Sequence, residues 1–540
     1  MRKVELAALM RRTEAVERPR VMRRRAFLRR LALGGAALAA GCVNPPAASN
    51  PPTAATTATI APTATATATP TPPDWSALRA SLRGVLVRPA DDGYDKARLL
   101  YNTRFDAIRP QAIARCASAS DVRECVRFAR DARVPVAVRS GGHSYGGWST
   151  GTGLVIDVAG LAAIDVGAGR ATVGAGAQLV DLYDTLAAHG AGIAAGSCPT
   201  VGIAGLTLGG GIGVLSRAWG LTCDQLVGAQ IVTADAQVRD CDADREPDLF
   251  WALRGGGGGS FGVVTSLAFR THPAADLAIG FLSWPYARAA TVVAAWQRWM
   301  ASAPDSLWST LHLQTRARGA DVTMHAVLTG GVFELVSQFN ALVAGAGPPL
   351  DREEGVRSYR DVMLLEAGCL GRSAAECHLA GTTADGILRR ETYAAKSAVA
   401  RRPMSSEAVA ALVDGVAALG ARDDVGGGAV LIDALGGAVS RIPADATAFP
   451  HRDAFAVLQL IAGWDASAPA PLADATRTWL RDLYAKARPL IGRGAYANYA
   501  DPDLDDWPEA YYDANYARLR QVKARYDPDR LFDFPQAVRP

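Results

Sequence analysis

The run RSGGHSYGG, Arg139 to Gly147, follows the apolar segment VPVAV and ends a buried strand in a glycine-dense bend. Glycine on both sides of His143 leaves the imidazole little to pack against and lets main chain and ring crowd a flat ligand. Further on, GSCPTVGIAGLTLGGGIG, Gly196 to Gly213, sets Cys198 in a second loop of the same character. Alone, the histidine reads as a surface or core residue and the cysteine as a buried thiol. Their shared setting is what makes a ligand site of them.

A third cluster, RGGGGGSFG (Arg254 to Gly262), can also line a cofactor. Neither this cluster nor GGGIG has the strand, helix and downstream acid of a nicotinamide dinucleotide fold. Around the three clusters, residues 76–275 read as α+β. ASDVRECVRFARDA is an amphipathic helix capped at Ser120 or Asp121, and VDLYDTLAAH is a helix closed by Gly190. From 276 to 490 alternating segments such as STLHLQTRA, DVTMHAVLTG, GAVLIDALGG and AFAVLQLIAGW predict an antiparallel sheet with helices on one face. Residues 491–540 have no core of their own and are expected to return to the first domain.

The formal charge of +4 describes two different objects. Residues 1–41 hold eleven Lys or Arg against three Glu, a local +8 that leaves about −4 for the rest. The body therefore gives no electrostatic case for nucleic acid. RRRAFLRR followed by LALGGAALAAGC reads as a twin-arginine type export signal, with a plain Sec signal as the alternative, and Ala40-Gly41-Cys42 matches a lipobox, so a lipid anchor at Cys42 and a bacterial envelope address are expected. Residues 1–42 are thus leader. The following linker, 43–75, holds eight Pro and nine Thr in residues 43–73, which carry no charge and read as a tether. Without a CxxC pair, and with scattered histidines, no metal site is expected. Cys369 with Cys377 is the first candidate disulfide and Cys116 with Cys125 a weaker one.

WALRGGGGGSFGVVT, FPHRDA (Phe449 to Ala454), YANYAD and the tail YYDANYARLRQVKARYDPDRLFDFPQAV complete five ordered motifs. From about Asn102 to Pro540 the chain resembles the berberine-bridge-enzyme-like family of FAD-linked oxidoreductases, in its bacterial oligosaccharide-oxidase-like branch. The resemblance implies a two-subdomain, PCMH-type FAD-binding domain joined to the antiparallel-sheet substrate domain. It implies FAD bound covalently through His143 and Cys198. Arg139, Ser140, Gly141, Gly142, Ser144 and Gly205 would lie near the pyrophosphate and Val264 along the adenosine. Tyr499 would be the catalytic base, with Tyr496 as the alternative and Gln459 hydrogen-bonding that tyrosine. Asp433 would line the substrate cleft. Ile203 would sit beside the flavin, where side-chain size governs oxygen access.

The activity implied is oxidation of an alcohol, foremost the anomeric hydroxyl of a sugar or oligosaccharide, with oxygen reduced to hydrogen peroxide. Oxidation of an aromatic alcohol or secondary metabolite is the enzymatic alternative. A flavin scaffold that only binds sugar is the alternative from another class.

Overall fold

The computed structural model describes residues 73–316 and 319–540. The expected export signal, the lipidation site at Cys42 and the linker up to residue 72 lie outside the described residues. Order begins earlier than the linker's expected end. Asp74 caps the helix Trp75–Ser81 by accepting the N–H groups of Ser76 and Ala77.

Two small sheets build the first half. In the four-stranded one the order is β1 (Val85–Val87), β2 (Ala112–Arg115), β4 (Leu154–Asp157), β3 (Val136–Arg139), parallel except where β1 joins. The helix Ala119–Asp131 makes the crossover from β2 to β3. It starts on Ser118, not on Ser120 or Asp121, because the Ser118 hydroxyl takes the Asp121 N–H. Asp121 is used elsewhere. Its buried carboxylate accepts main-chain N–H groups of Arg83, Gly84 and Ala117, pinning the start of β1 to the end of β2.

The five-stranded sheet is antiparallel, in the order β5 (Ile164–Gly167), β6 (Arg170–Gly174), β10 (Val263–Arg270), β8 (Leu226–Val232), β9 (Val238–Cys241). The helix Leu179–Ala188 follows β6, and Gly190 beyond it has φ of +67°, a left-handed closing position. A two-stranded ribbon pairs β7 (Ala191–Gly192) with β11 (His272–Pro273).

The seven-stranded antiparallel sheet runs β15 (Asp351–Arg357), β12 (Leu277–Pro285), β14 (Ala320–Leu328), β13 (Leu307–Thr315), β17 (Gly427–Ala434), β18 (Ala456–Gly463), β16 (Tyr393–Ala400). The period-2 pattern assigns its two faces. Leu307, Leu311, Leu313, Val430, Ile432, Leu458 and Leu460 point one way and are fully buried. Against them pack the helices Ala289–Ser302, Val332–Ala346, Ser406–Gly420 and Ala470–Ile491. Each such side chain contributes about 1.5–3 kcal/mol by leaving water, so this face fixes the strand register. The residues between them on the same strands point the other way, and many are polar.

The α+β class expected from the sequence is the class observed. Cys369 and Cys377 form a disulfide, whereas Cys116 and Cys125 are buried free thiols. Residues beyond 491 run back across the first half. The fully buried Lys523 donates to the carbonyls of Ser260 and Phe532 while paired with Asp527, and Tyr512 donates to the Gly256 carbonyl.

Candidate active site

Backbone contact between the two glycine-rich loops builds the site. A Cβ on Gly141 would overlap the Gly202 nitrogen, and a Cβ on Gly202 would overlap the Ser140 hydroxyl. Only glycine permits this approach, and it brings the His143 and Cys198 loops together. His143 Nε2 lies 2.7 Å from the Thr200 hydroxyl, and its ring stacks on Tyr101 with centroids 4.0 Å apart. Burial pushes its pKa down to about 3, so the ring is neutral and keeps a nucleophilic nitrogen lone pair. Cys198 is open to the cavity. Burial, followed by the charge of Glu391, pushes its thiol up to about 11.

Both residues border a cavity of about 530 Å³ closed on its far side by the seven-stranded sheet. Ser140, Gly141, Gly142, Ser144 and Gly205 border it too, as do Val264 on β10 and the third glycine cluster at Gly257, Gly258 and Gly259. Gly257 and Gly259 have φ of +89° and +80°. A wall of main chain and small residues fits FAD, whose pyrophosphate needs close backbone approach. Arg139 departs from expectation. Its guanidinium is buried and turned from the cavity, bonded to Asp157 at 2.9 Å and to the Ala97 carbonyl at 2.8 Å. A strand-end arginine facing a buried carboxylate on the adjacent strand β4 is held by that charge. Ile203 is also displaced from its expected place: its side chain is fully buried in the core, and Val201 of the same loop lines the cavity instead.

Tyr499, Tyr496, Gln459 and Asp433 all reach the cavity. Their connections differ from the expected ones. Gln459 Nε2 donates to the Tyr145 hydroxyl at 2.8 Å, not to Tyr499. Tyr145 in turn stacks on Tyr499 with centroids 5.4 Å apart and a 22° interplanar angle. Tyr145 was legible only as part of RSGGHSYGG, two residues after His143, and its role was missed. Tyr496 is committed to structure: its hydroxyl accepts from the Gly211 N–H at 2.8 Å, the Ile212 N–H at 3.3 Å and Asn498 Nδ2 at 2.9 Å. Those donors lower its pKa, but burial outweighs them and leaves it pushed up to about 12. Burial, then the neighbouring Asp433 and Tyr145, raises the Tyr499 phenol well above its ordinary value.

The sheet supplies the opposite wall. Register places Phe281, His325, Thr310 and Asp433 in one row across β12, β14, β13 and β17. His312, Leu431 and Gln459 form the next row. All seven line the cavity. Burial raises the Asp433 carboxyl to about 6 against the pull of Thr310 and His325. His325 Nε2 lies 2.9 Å from Glu366 Oε2. Burial alone would lower that imidazole's pKa, but the Glu366 carboxylate raises it above the ordinary value. His312 is pushed down to about 3 by burial and by His325. The site therefore combines a neutral imidazole and a protonated thiol at a glycine-rich wall, a stacked pair of tyrosines, and a carboxylate raised to about 6.

Known proteins show the family to which this fold belongs. Residues 110–242 match the FAD binding domain family and residues 495–539 the berberine and berberine-like family. The uncharacterized FAD-linked oxidoreductase YgaK of Bacillus subtilis (strain 168) is 31% identical over 469 residues, covering 86% of this chain and 98% of its own. (R)-6-hydroxynicotine oxidase of Paenarthrobacter nicotinovorans is 30% identical, covering 84% and 96%. The structure of xylooligosaccharide oxidase from Myceliophthora thermophila C1, in complex with xylobiose, superposes with a TM-score of 0.76 at 25% identity, covering 86% and 98%. The chain belongs to the berberine-bridge-enzyme-like family of FAD-linked oxidoreductases.

Proposed function

We propose that this oxidoreductase takes a sugar or oligosaccharide and oxidises its anomeric hydroxyl, with FAD held covalently through His143 and Cys198 and with oxygen reduced to hydrogen peroxide. The observation that carries the sugar reading is the polar face of the seven-stranded sheet. Asp433, His325, His312, Thr310 and Gln459 lie together there, opposite the glycine-rich loops. The structural likeness to a xylooligosaccharide oxidase supports it.

FAD supplies the two-electron acceptor when bound. His143 and Cys198 would hold the ring, Ser140, Gly141, Gly142, Ser144 and Gly205 would accommodate the pyrophosphate, and Val264 would lie along the adenosine; all of them line the cavity. Tyr499 takes the proton of the substrate hydroxyl. Burial makes its phenol unwilling to ionise, so its own proton must pass on as it takes the substrate's. Asp433, the group beside it with a pKa near neutrality, is suited to receive it. Gln459 holds Tyr145, and Tyr145 buttresses the Tyr499 ring.

A second reading has its own support: Tyr145 and Tyr499, stacked on each other at the cavity wall with Tyr393 edge-on to Tyr145, suit a flat aromatic alcohol. Anaerobic mixing with a panel of aldoses, β-linked disaccharides and aromatic alcohols decides between them. The sugar reading expects flavin bleaching by a sugar and recovery in air with peroxide released. Bleaching by aromatic alcohols alone would overturn it. The envelope address rests on residues 1–42; mature chain recovered with a lipid-modified Cys42 at its amino terminus would support it, and an intact leader in the cytoplasm would remove it.

A further inference from the structure

Single buried polar atoms without a partner occur at scattered places among the described residues, Gln178 Oε1, His272 Nε2 and Arg452 Nε among them. On the sheet wall of the cavity three gather, on Trp308, Thr310 and Glu366. Trp308 is 5% exposed, and its Nε1–H has no hydrogen-bond partner. The Glu366 side chain is 7% exposed; Oε2 binds His325, and Oε1 has no partner. Both residues line the cavity. They come from β13 and from the end of the helix Tyr359–Glu366, and they meet around His325. The His325 ring lies 5.6 Å from Trp308, 5.5 Å from Phe281 and 5.6 Å from His312, centroid to centroid.

An unmatched buried donor or acceptor costs about 1–3 kcal/mol, so a protein retains such a pair at a cavity wall when a ligand completes it. Here one donor and one carboxylate oxygen, both without a partner, belong to residues that flank His325 at the cavity wall. A cation would use Glu366 and leave the indole N–H unmatched. An anion would do the reverse and meet the Glu366 charge. A pair of neighbouring hydroxyls satisfies both, one giving its proton to Glu366 Oε1 and the other accepting from Trp308 Nε1. The indole and the Phe281 ring beside them offer apolar faces to the C–H side of a saturated ring.

We propose that Trp308 and Glu366, with His325 orienting the carboxylate, form a subsite that grips a vicinal diol on the substrate. This rests on the sugar reading above and deepens it. The subsite selects polyhydroxylated rings by binding; Glu366 also bears on Asp433 through His325, so Trp308 is the member that isolates the binding role.

The test uses the FAD-loaded enzyme and two variants, Trp308→Phe, which removes only the N–H and part of the ring, and Glu366→Gln. The sugar in the panel with the lowest KM for the unaltered enzyme serves as probe, with benzyl alcohol as the single-hydroxyl control. Each variant should raise KM for the sugar at least about tenfold, the loss expected for one charge-assisted or desolvated hydrogen bond, and Trp308→Phe should leave kcat within about threefold. Any turnover of benzyl alcohol should keep its KM. Unchanged sugar KM in both variants, with the unaltered enzyme still oxidising sugars, overturns the diol subsite and leaves the sugar reading standing. An unaltered enzyme that no sugar reduces overturns both. Should Glu366→Gln not fold, judged by thermal melting and flavin content, Trp308→Phe alone decides.

Discussion

The Gln459 side-chain amide donates to the Tyr145 hydroxyl at 2.8 Å, tying the seven-stranded sheet to the loop that carries His143. Tyr145 then lies flat against Tyr499. Gln459 therefore acts on Tyr499 through Tyr145. Gln459→Ala should lower kcat about tenfold, the effect of one lost hydrogen bond in a buried site. Tyr145→Phe should do the same, and the double variant should be no worse than either single one. Additive losses in this double-mutant cycle would show that Gln459 and Tyr145 act independently.

Tyr499 and Tyr496 should separate by the kind of damage their loss causes. Tyr499→Phe removes the proposed base and should cut kcat by about 100-fold or more while leaving melting temperature and flavin content unchanged. Tyr496→Phe deprives the Gly211 and Ile212 N–H groups of their acceptor inside the protein. It should cost about 1–3 kcal/mol of stability, read as a lower denaturant midpoint. Full turnover in Tyr499→Phe would remove it as the base.

Asp433 makes a prediction about pH. Its carboxyl titrates at about 6 in the folded protein against an ordinary 3.8, so folding favours the protonated form. The stability this group contributes is complete below pH 3.8 and is lost as pH rises through about 6. The difference amounts to about 3 kcal/mol. Asp433→Asn should therefore melt higher than the unaltered protein at pH 7.5, and the gap should close as pH falls from 6 toward 4. Turnover should behave oppositely. In the unaltered enzyme kcat should fall below about pH 6 as Asp433 becomes protonated, and that limb should vanish in Asp433→Asn, which remains slow at all pH values. An unchanged acid limb in the variant would assign it to another group.

Much of the site was legible because glycine is legible. Where Gly141 and Gly202 must pass backbone to backbone, no other residue serves, and the sequence displays that need directly. The Cys369–Cys377 disulfide followed from spacing, and the seven-stranded sheet from alternation. What alternation does not tell is which strands become neighbours. His325 sits opposite Thr310, and Thr310 opposite Asp433, only because β13 lies between β14 and β17. Trp308 and Glu366 were invisible for the same reason. Side-chain direction was the other gap. Arg139 in RSGGHSYGG suits a phosphate by type, yet Asp157 on the next strand is closer at hand. Gln459 could reach either tyrosine, and the register decided for Tyr145.

The central claim is that His143 and Cys198 hold one flavin between them, and mass spectrometry of the acid-precipitated protein tests it most directly. The unaltered chain should give a yellow pellet, and protease digestion should yield the His143 and Cys198 peptides joined through a single FAD-derived flavin. Cys198→Ala should stay yellow through His143, and the double variant with His143→Ala should be colourless. A colourless pellet from the unaltered chain, with free FAD in the supernatant, would contradict the covalent account.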